Sequence, residues 1–292
     1  MNTDFQSTKD GAILMDGNVV AQKIQSSIAT QLAKHSNANI TLATVLIGED
    51  QASQLYVGMK QRRAAAIGIQ SKHIQLAGNI SMQAATEEIS KLVQDPHVHG
   101  ILIQLPLPEQ LDTNKIIDLL PAEKDVDGLS ENNLGKLLRG EPGLVPCTPL
   151  GVMRLLEHYA IETSGKRAMV IGRSTLVGLP QVLLLGRKGT DATVTLAHSR
   201  SKDLIEITQS ADIVVAAAGI AHLVTAAHIK PGAAVIDVGV TRTNHGICGD
   251  VDFDAVQAVA GAITPMPGGT GPMTVACLLE NTLLAAQLQN VL

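Results

Sequence analysis

The chain has 292 residues, 45% hydrophobic and 17% charged, with a net charge of −5 and no cluster of Lys and Arg, which excludes a nucleic-acid footprint. Cys147, Cys248 and Cys277 form no CxxC and stand at no metal-ligand spacing from a histidine, so no metal site is expected, only reduced thiols of a cytoplasmic protein. Residues 1–10 are polar and no run of eighteen apolar residues occurs, so neither a signal peptide nor a membrane span is expected.

Tyr and Phe occur twice each and Trp not at all, so the core must be aliphatic. In residues 16–35, Val20, Ile24, Ile28 and Leu32 recur every fourth position, one face of a helix, with Asp16 as its cap. Residues 40–48 (ITLATVLIG) read as a buried strand, 53–67 as a helix ended by Gly68, and 72–76 as a short strand. A helix over 81–94 capped by Ser81, a strand over 98–105 stopped by Pro106 and Pro108, and a helix over 114–120 follow. Alternation of this kind predicts a parallel sheet covered by helices.

Residues 125–146 are rich in Gly, Asn, Pro and charge and read as loop. Thr148 and Pro149 then suit the cap and first turn of a helix running to Tyr159. Strands over 168–172, 193–197, 213–217, 234–238 and 262–263, with helices over 178–188 and 203–209, make a second α/β unit of Rossmann type. A last helix from Thr274 carries a one-sided stripe of Val275, Leu278, Leu279, Leu283 and Ala286, suited to packing back on the first unit. The expected fold is therefore α/β with two domains, residues 1–148 with 275–292, and residues 149–274.

Gly172, Arg173 and Ser174 open a GxSxxxG turn between strand and helix, where glycine admits a pyrophosphate and the helix start supplies free N–H groups. GxSxxxG is a weak match to the generic fingerprint and also fits a plain turn. The strand over 193–197 ends in His198, Ser199 and Arg200, with no carboxylate to hold a ribose hydroxyl. A guanidinium there attracts a 2′-phosphate, which favours NADP over NAD, unless Arg200 is simply a solvated loop residue.

In the first unit, Tyr56 and Lys60 share a helix face at i and i+4. A desolvated Lys can serve as a base, although a surface Tyr covered by a Lys stem is the commoner meaning of such a pair. Gln104, at the end of an apolar strand beside Ile103 and Leu105, either finds partners inside the fold or faces a cleft. Asp125 and Asp127 lack the spacing of a calcium loop and suit hydrogen bonding better than metal binding. The Pro- and Gly-dense stretch over 264–274 suits a loop that brings main-chain groups close to a ligand.

Seven motifs in order resemble the bifunctional methylenetetrahydrofolate dehydrogenase/methenyltetrahydrofolate cyclohydrolase family. They are ASQLYV with Lys60, GILIQLPLP (100–108), KDVDG (124–128), PCTPLG (146–151), GRSTLVGLP (172–180), VIDVG (235–239) and TPMPGGTGPMT (264–274). Met266 and Thr270 stand where the family usually has Val, and Leu179 where Arg is common. The resemblance implies hydride transfer from 5,10-methylenetetrahydrofolate to NADP⁺ and hydrolysis of the methenyl product to 10-formyltetrahydrofolate. It implies that Lys60 assists water attack, Tyr56 stacks on the pterin, Gln104 sets the state of Lys60 and Asp127 anchors the pterin. Ile103, Leu105 and the stretch Pro267, Gly268, Gly269, Thr270 and Gly271 would line the folate site. Gly172, Arg173, Ser174, Ser199 and Val240 would touch NADP, beside the Arg200 already read from its charge, and a homodimer is implied. A two-domain NADP dehydrogenase of the shikimate type shares the alternation but not the YxxxK helix or the PGGxGP loop.

Overall fold

The computed structural model describes residues 5–35, 39–243 and 246–292. In chain order the elements begin β1 (Ile13–Leu14), α1 (Gly17–Ala33), β2 (Thr41–Ile47), α2 (Gln51–Ala66), β3 (Gln70–Leu76), α3 (Met82–Gln94), β4 (Gly100–Ile103), α4 (Thr113–Ile117) and α5 (Glu131–Arg139). They continue α6 (Cys147–His158), β5 (Arg167–Ile171), α7 (Gly178–Gly186), β6 (Thr193–Ala197), α8 (Leu204–Gln209), β7 (Ile213–Ala216) and β8 (Ala234–Asp237). The last are β9 (Thr241–Thr243), β10 (Gly246–Cys248), α9 (Phe253–Val256), β11 (Ala262–Ile263) and α10 (Thr270–Leu288).

These elements form two compact units, residues Lys23–Cys147 with Val275–Leu292, and Met1–Gln22 with Thr148–Thr274. In the first, β2 is central in a parallel sheet of order β3-β2-β4. Ala43, Val45, Ile101 and Ile103 meet Ala85, Ile89 and Leu92 of α3 and Ile116 of α4 in one aliphatic cluster. Full burial of each large side chain contributes roughly 1.5–3 kcal/mol, which replaces what aromatics supply elsewhere.

The second unit holds a six-stranded sheet of order β1-β11-β8-β7-β5-β6, with every pairing parallel. Strand order reverses at β5, whose neighbours are β6 and β7, so the carboxyl ends of β5 and β7 flank a switch point where ligands bind in such sheets. Here the N-terminal residues depart from expectation. Residues 5–22 group with this unit, not with the first, because Ile13 and Leu14 pair with Ala262 and Ile263 and close the sheet's edge. A two-residue strand is too short to show alternation, and its partner is distant in sequence.

Five further differences concern single elements. The stretch read as loop contains α5, with Ser130 as cap and Gly140, at φ +69°, as its left-handed stop. Only Asn133 and Leu137 of that helix are buried, so its apolar stripe is thin. Helix α6 starts at Cys147, so Thr148 is not its cap; its hydroxyl instead meets that of Thr274 at 3.0 Å. Helix α10 starts at Thr270, because Pro272 in the first turn removes an N–H that has no helical partner anyway. Strand β4 stops at Ile103, two residues before the cis bond Leu105–Pro106, and the antiparallel pair β9–β10 was not anticipated.

Candidate active site

In the first unit, Asp50 caps α2 by accepting the Ser53 N–H at 2.7 Å, which sets the start of the helix. Tyr56 is half-buried, and Lys60, one turn on, is only 8% exposed. The Lys60 Nζ donates to Gln104 Oε1 at 3.0 Å. Gln104 in turn donates from Nε2 to the Leu105 carbonyl at 2.8 Å, while its backbone N–H stays on Val45. Both ends of the amide are therefore used, and its oxygen is held toward the lysine. Ile103 is buried at the strand end and Leu105 is half-buried.

Burial pushes the Lys60 ammonium below its usual range, and the Asp127 carboxylate and Cys147 partly offset this. The same burial pushes the Asp127 carboxyl up, against the pull of Lys60 and a hydrogen bond from Cys147. A lysine and an acid thus lie together with burial disfavouring both charged forms. Burial also holds the Cys147 thiol well above its ordinary range, so it serves as a donor, to the Val126 carbonyl at 3.2 Å.

The neighbouring charges are committed elsewhere. Lys124 donates to the carbonyls of Val93 and Asp95, both at 2.9 Å, at the end of α3. Asp125 accepts from the N–H groups of Gly128 and Ser130 and from Asn133 Nδ2. Of the KDVDG charges, Asp127 alone is left beside Lys60. Two contributors escape sequence reasoning. Cys147 reads as a bland thiol, and Asn281 sits unremarked in the stripe of α10. Asn281 is buried and donates to the carbonyls of Val126 and Val145, both at 2.9 Å, so it pins the Asp127 segment. A polar residue on an apolar helix face was the available signal.

In the second unit, Gly172 adopts φ +124°, and a β-carbon there would fall on the Ala217 carbonyl. Gly178 likewise leaves no room for a β-carbon against the Gly172 carbonyl. Ser174 Oγ accepts the Val177 N–H at 3.2 Å, and no side chain caps the start of α7. A cavity of about 420 Å³ opens here, lined among others by Gly172, Arg173, Ser174, His198, Ser199 and Ala218. Arg200 and Val240 are exposed and lie outside this lining, whereas His198 and Ala218 were not anticipated in it. A larger cavity of about 590 Å³ opens at the amino ends of the same strands. Its lysines, Lys166 and Lys230, are paired with Glu162 and Asp212, and it lies away from the glycine turn.

The Pro- and Gly-rich stretch joins β11 to α10. Met266–Pro267 is cis, Gly268 has φ +108°, and the Gly17 N–H donates to the Gly268 carbonyl at 2.8 Å. Pro267 is exposed, Gly268 and Gly271 are half-buried, and Gly269 is buried. Thr270 is buried too, and its hydroxyl donates to the Asp237 carbonyl at 2.9 Å, which commits that side chain to the fold. Cys147, Cys248 and Cys277 all remain thiols. No described helix is long and apolar enough to cross a membrane.

A parallel sheet with a tight glycine turn and a cavity at its switch point defines a dinucleotide-binding α/β protein, and the other unit carries the buried Lys60, Gln104 and Asp127. Residues 15–127 match the model of the tetrahydrofolate dehydrogenase/cyclohydrolase catalytic domain, and residues 146–290 that of the same family's NAD(P)-binding domain. The chain belongs to the tetrahydrofolate dehydrogenase/cyclohydrolase family. It is 47% identical over 279 residues to the bifunctional protein FolD 2 of Frankia casuarinae, covering 94% of this chain and 96% of that one. Among solved structures, the bifunctional FolD of Campylobacter jejuni aligns at TM-score 0.92 and 41% identity, covering 95% and 99% of the two chains. The FolD of Trypanosoma brucei, complexed with NADP and an inhibitor, aligns at 0.90 and 38%, covering 96% and 98%.

Proposed function

We propose that this chain oxidises 5,10-methylenetetrahydrofolate with NADP⁺ and hydrolyses the resulting 5,10-methenyl cation to 10-formyltetrahydrofolate. The observation that carries this reading is Lys60, buried, its ammonium disfavoured, and held by Gln104 at 3.0 Å beside Asp127. Family membership supplies the substrate class.

The glycine turn and the cavity beside it fit a dinucleotide. Gly172 has no room for a side chain, and Arg173 and Ser199 border the cavity with a cation and a hydroxyl. Bound there, NADP⁺ accepts the hydride that leaves the methylene carbon. Arg200, at the exposed end of β6, favours the 2′-phosphate over a bare ribose. Val240, just before β9, is assigned to the cofactor by the resemblance alone.

The hydride step leaves a cation on the folate. A permanently charged lysine beside it would repel it, and Lys60 is disposed against the charged form. As the amine, Lys60 takes a proton from the water that attacks the methenyl carbon; the added hydroxyl then gives up its proton and the departing ring nitrogen takes one, so the carbon remains as the formyl group on the other nitrogen. Gln104 orients the amine, and Asp127, its carboxyl shifted upward, hydrogen-bonds the pterin. Tyr56 offers a flat face to the ring, and Ile103, Leu105 and residues 267–271 line the folate. In the same reading the protein works in the cytoplasm, where its thiols stay reduced, and as a homodimer, by family resemblance.

The test is an absorbance time course with methylenetetrahydrofolate and NADP⁺ or NAD⁺, and separately with methenyltetrahydrofolate. Reduction of NADP⁺ together with accelerated loss of the methenyl species is expected. Folded protein with no turnover in either assay would overturn the proposal.

A further inference from the structure

Beyond Ile171 and Ala216 the pairing of β5 with β7 ends, yet the chain after β7 still has to wall the cavity. Ala217 and Ala218 both line it. The Ala217 N–H remains on the Ile171 carbonyl at 2.7 Å, but the N–H groups of Ala218 and Gly219 have left the sheet. A single oxygen, Asp250 Oδ2, accepts both, at 2.6 and 2.9 Å. Asp250 is wholly buried, and its other oxygen has no hydrogen-bond partner among the described residues.

A second buried acid holds Asp250 in place. Asp237, at the end of β8, accepts the N–H groups of Gly239, Asp250 and Val251, each at 3.0 Å. The fit around the pair is tight. A β-carbon at Gly239 would fall on the Asp250 carboxyl, and one at Gly249 on the Asp237 carboxyl. Asp237 is joined to the start of α10 as well, through the Thr270 hydroxyl on its carbonyl. Two carboxylates thus tie together the chain after β7, the chain after β8 and the segment following β10. A buried carboxylate oxygen without a protein partner is costly, and a fold keeps such a group where its charge-assisted bonds to backbone N–H are needed.

We propose that Asp250 is a positioning residue for the cofactor, whose carboxylate holds the Ala218–Gly219 backbone in the shape that admits NADP. The inference rests on the placement of NADP in this cavity. Asp250 does not touch the reacting atoms, so its loss acts on cofactor binding and leaves the folate chemistry of the other unit alone.

The experiment compares the full-length protein with Asp250→Ala and Asp250→Asn. NADPH affinity is measured by calorimetry, KM for NADP⁺ and kcat by dehydrogenase turnover, and cyclohydrolase rate on methenyltetrahydrofolate without nucleotide. Losing two bonds to a charged acceptor predicts a rise of at least ~10-fold in NADPH Kd and NADP⁺ KM for Asp250→Ala. At saturating NADP⁺ its kcat, like its cyclohydrolase rate, stays within about threefold of the parent. Asp250→Asn keeps one acceptor oxygen for both amides and restores Kd to within about threefold. Should the alanine variant not fold, Asp250→Ser replaces it, since its hydroxyl is too short to reach both amides but can carry a water. Unchanged Kd in the folded alanine or serine variant overturns the proposal, as does a parallel fall of cyclohydrolase with affinity. Failure of the parent protein to bind NADPH would instead refute the placement of the cofactor.

Discussion

Gln104→Ala tests the coupling on which the proposed hydrolysis depends. In the parent, the Lys60 Nζ has Gln104 Oε1 as its acceptor at 3.0 Å and is only 8% exposed, so little water can replace the amide. Removing one partner of a buried bond to an ionisable group costs about 1.5–3 kcal/mol. At about 1.4 kcal/mol per decade, cyclohydrolase kcat/KM should fall about 10- to 150-fold if the bond operates in the reacting complex. The amide oxygen also favours the ammonium over the amine, so its loss moves the Lys60 pKa further down. Because the amine is the working form, that shift alone would raise activity on the acid side of the profile, whereas lost orientation lowers it across the whole profile. The assay is the disappearance of methenyltetrahydrofolate from pH 6 to 9, corrected for the uncatalysed rate. A loss smaller than threefold at every pH would refute the argument that Gln104 orients Lys60.

Lys60→Ala should abolish cyclohydrolase activity while leaving some dehydrogenase turnover; full hydrolysis by that variant would remove Lys60 from the mechanism. In Asp127→Asn the negative charge that holds the Lys60 pKa up is gone, so the acid limb of the cyclohydrolase kcat profile should move to lower pH. Arg200→Ala should weaken NADP⁺ more than NAD⁺ in steady-state kinetics, and equal losses would count against a 2′-phosphate contact. Burial pushes Asp237 from 3.8 to about 6, with the Asp250 charge adding to the rise and three N–H donors opposing it. The folded state therefore holds that proton more tightly than the unfolded chain. The stabilisation is complete below about pH 4 and is lost as pH rises through about 6, a change on the order of 3 kcal/mol. Asp237→Asn should flatten this slope in urea titrations at pH 4.5 and 7, and an unchanged slope would mean that another group titrates there.

Periodicity along the chain was enough to place most of the strands and longer helices, because apolar spacing is a local property. Residues 82–94 and 193–197 emerged as read, the strand read over 40–48 spans 41–47, and Gly172 and Gly178 were legible as a tight turn from their place between strand and helix. Tyr56, Lys60, Gln104 and Asp127 could be named, and motif order carried the family. What each charge does was not legible. Asp125 and Asp127 are chemically alike two residues apart, yet three donors consume the first and leave the second beside Lys60. Burial and partners arriving from distant parts of the chain determine such a difference, and no spacing encodes them. The same holds for Ile13 and Leu14, whose place in the second unit depends on strand β11. Asn281 reads as an interruption of an apolar stripe until the carbonyls of Val126 and Val145 meet it. Nothing along the chain marks Asp250 until the fold brings Gly239 and the amides of Ala218 and Gly219 against its carboxyl. Sequence by itself determined the elements, the glycine turn and the set of reactive side chains, because those follow from neighbours along the chain. Tertiary structure decided which carboxylate is free, which lysine loses its water and which amides lack a strand partner, because desolvation and hydrogen bonding depend on neighbours in space.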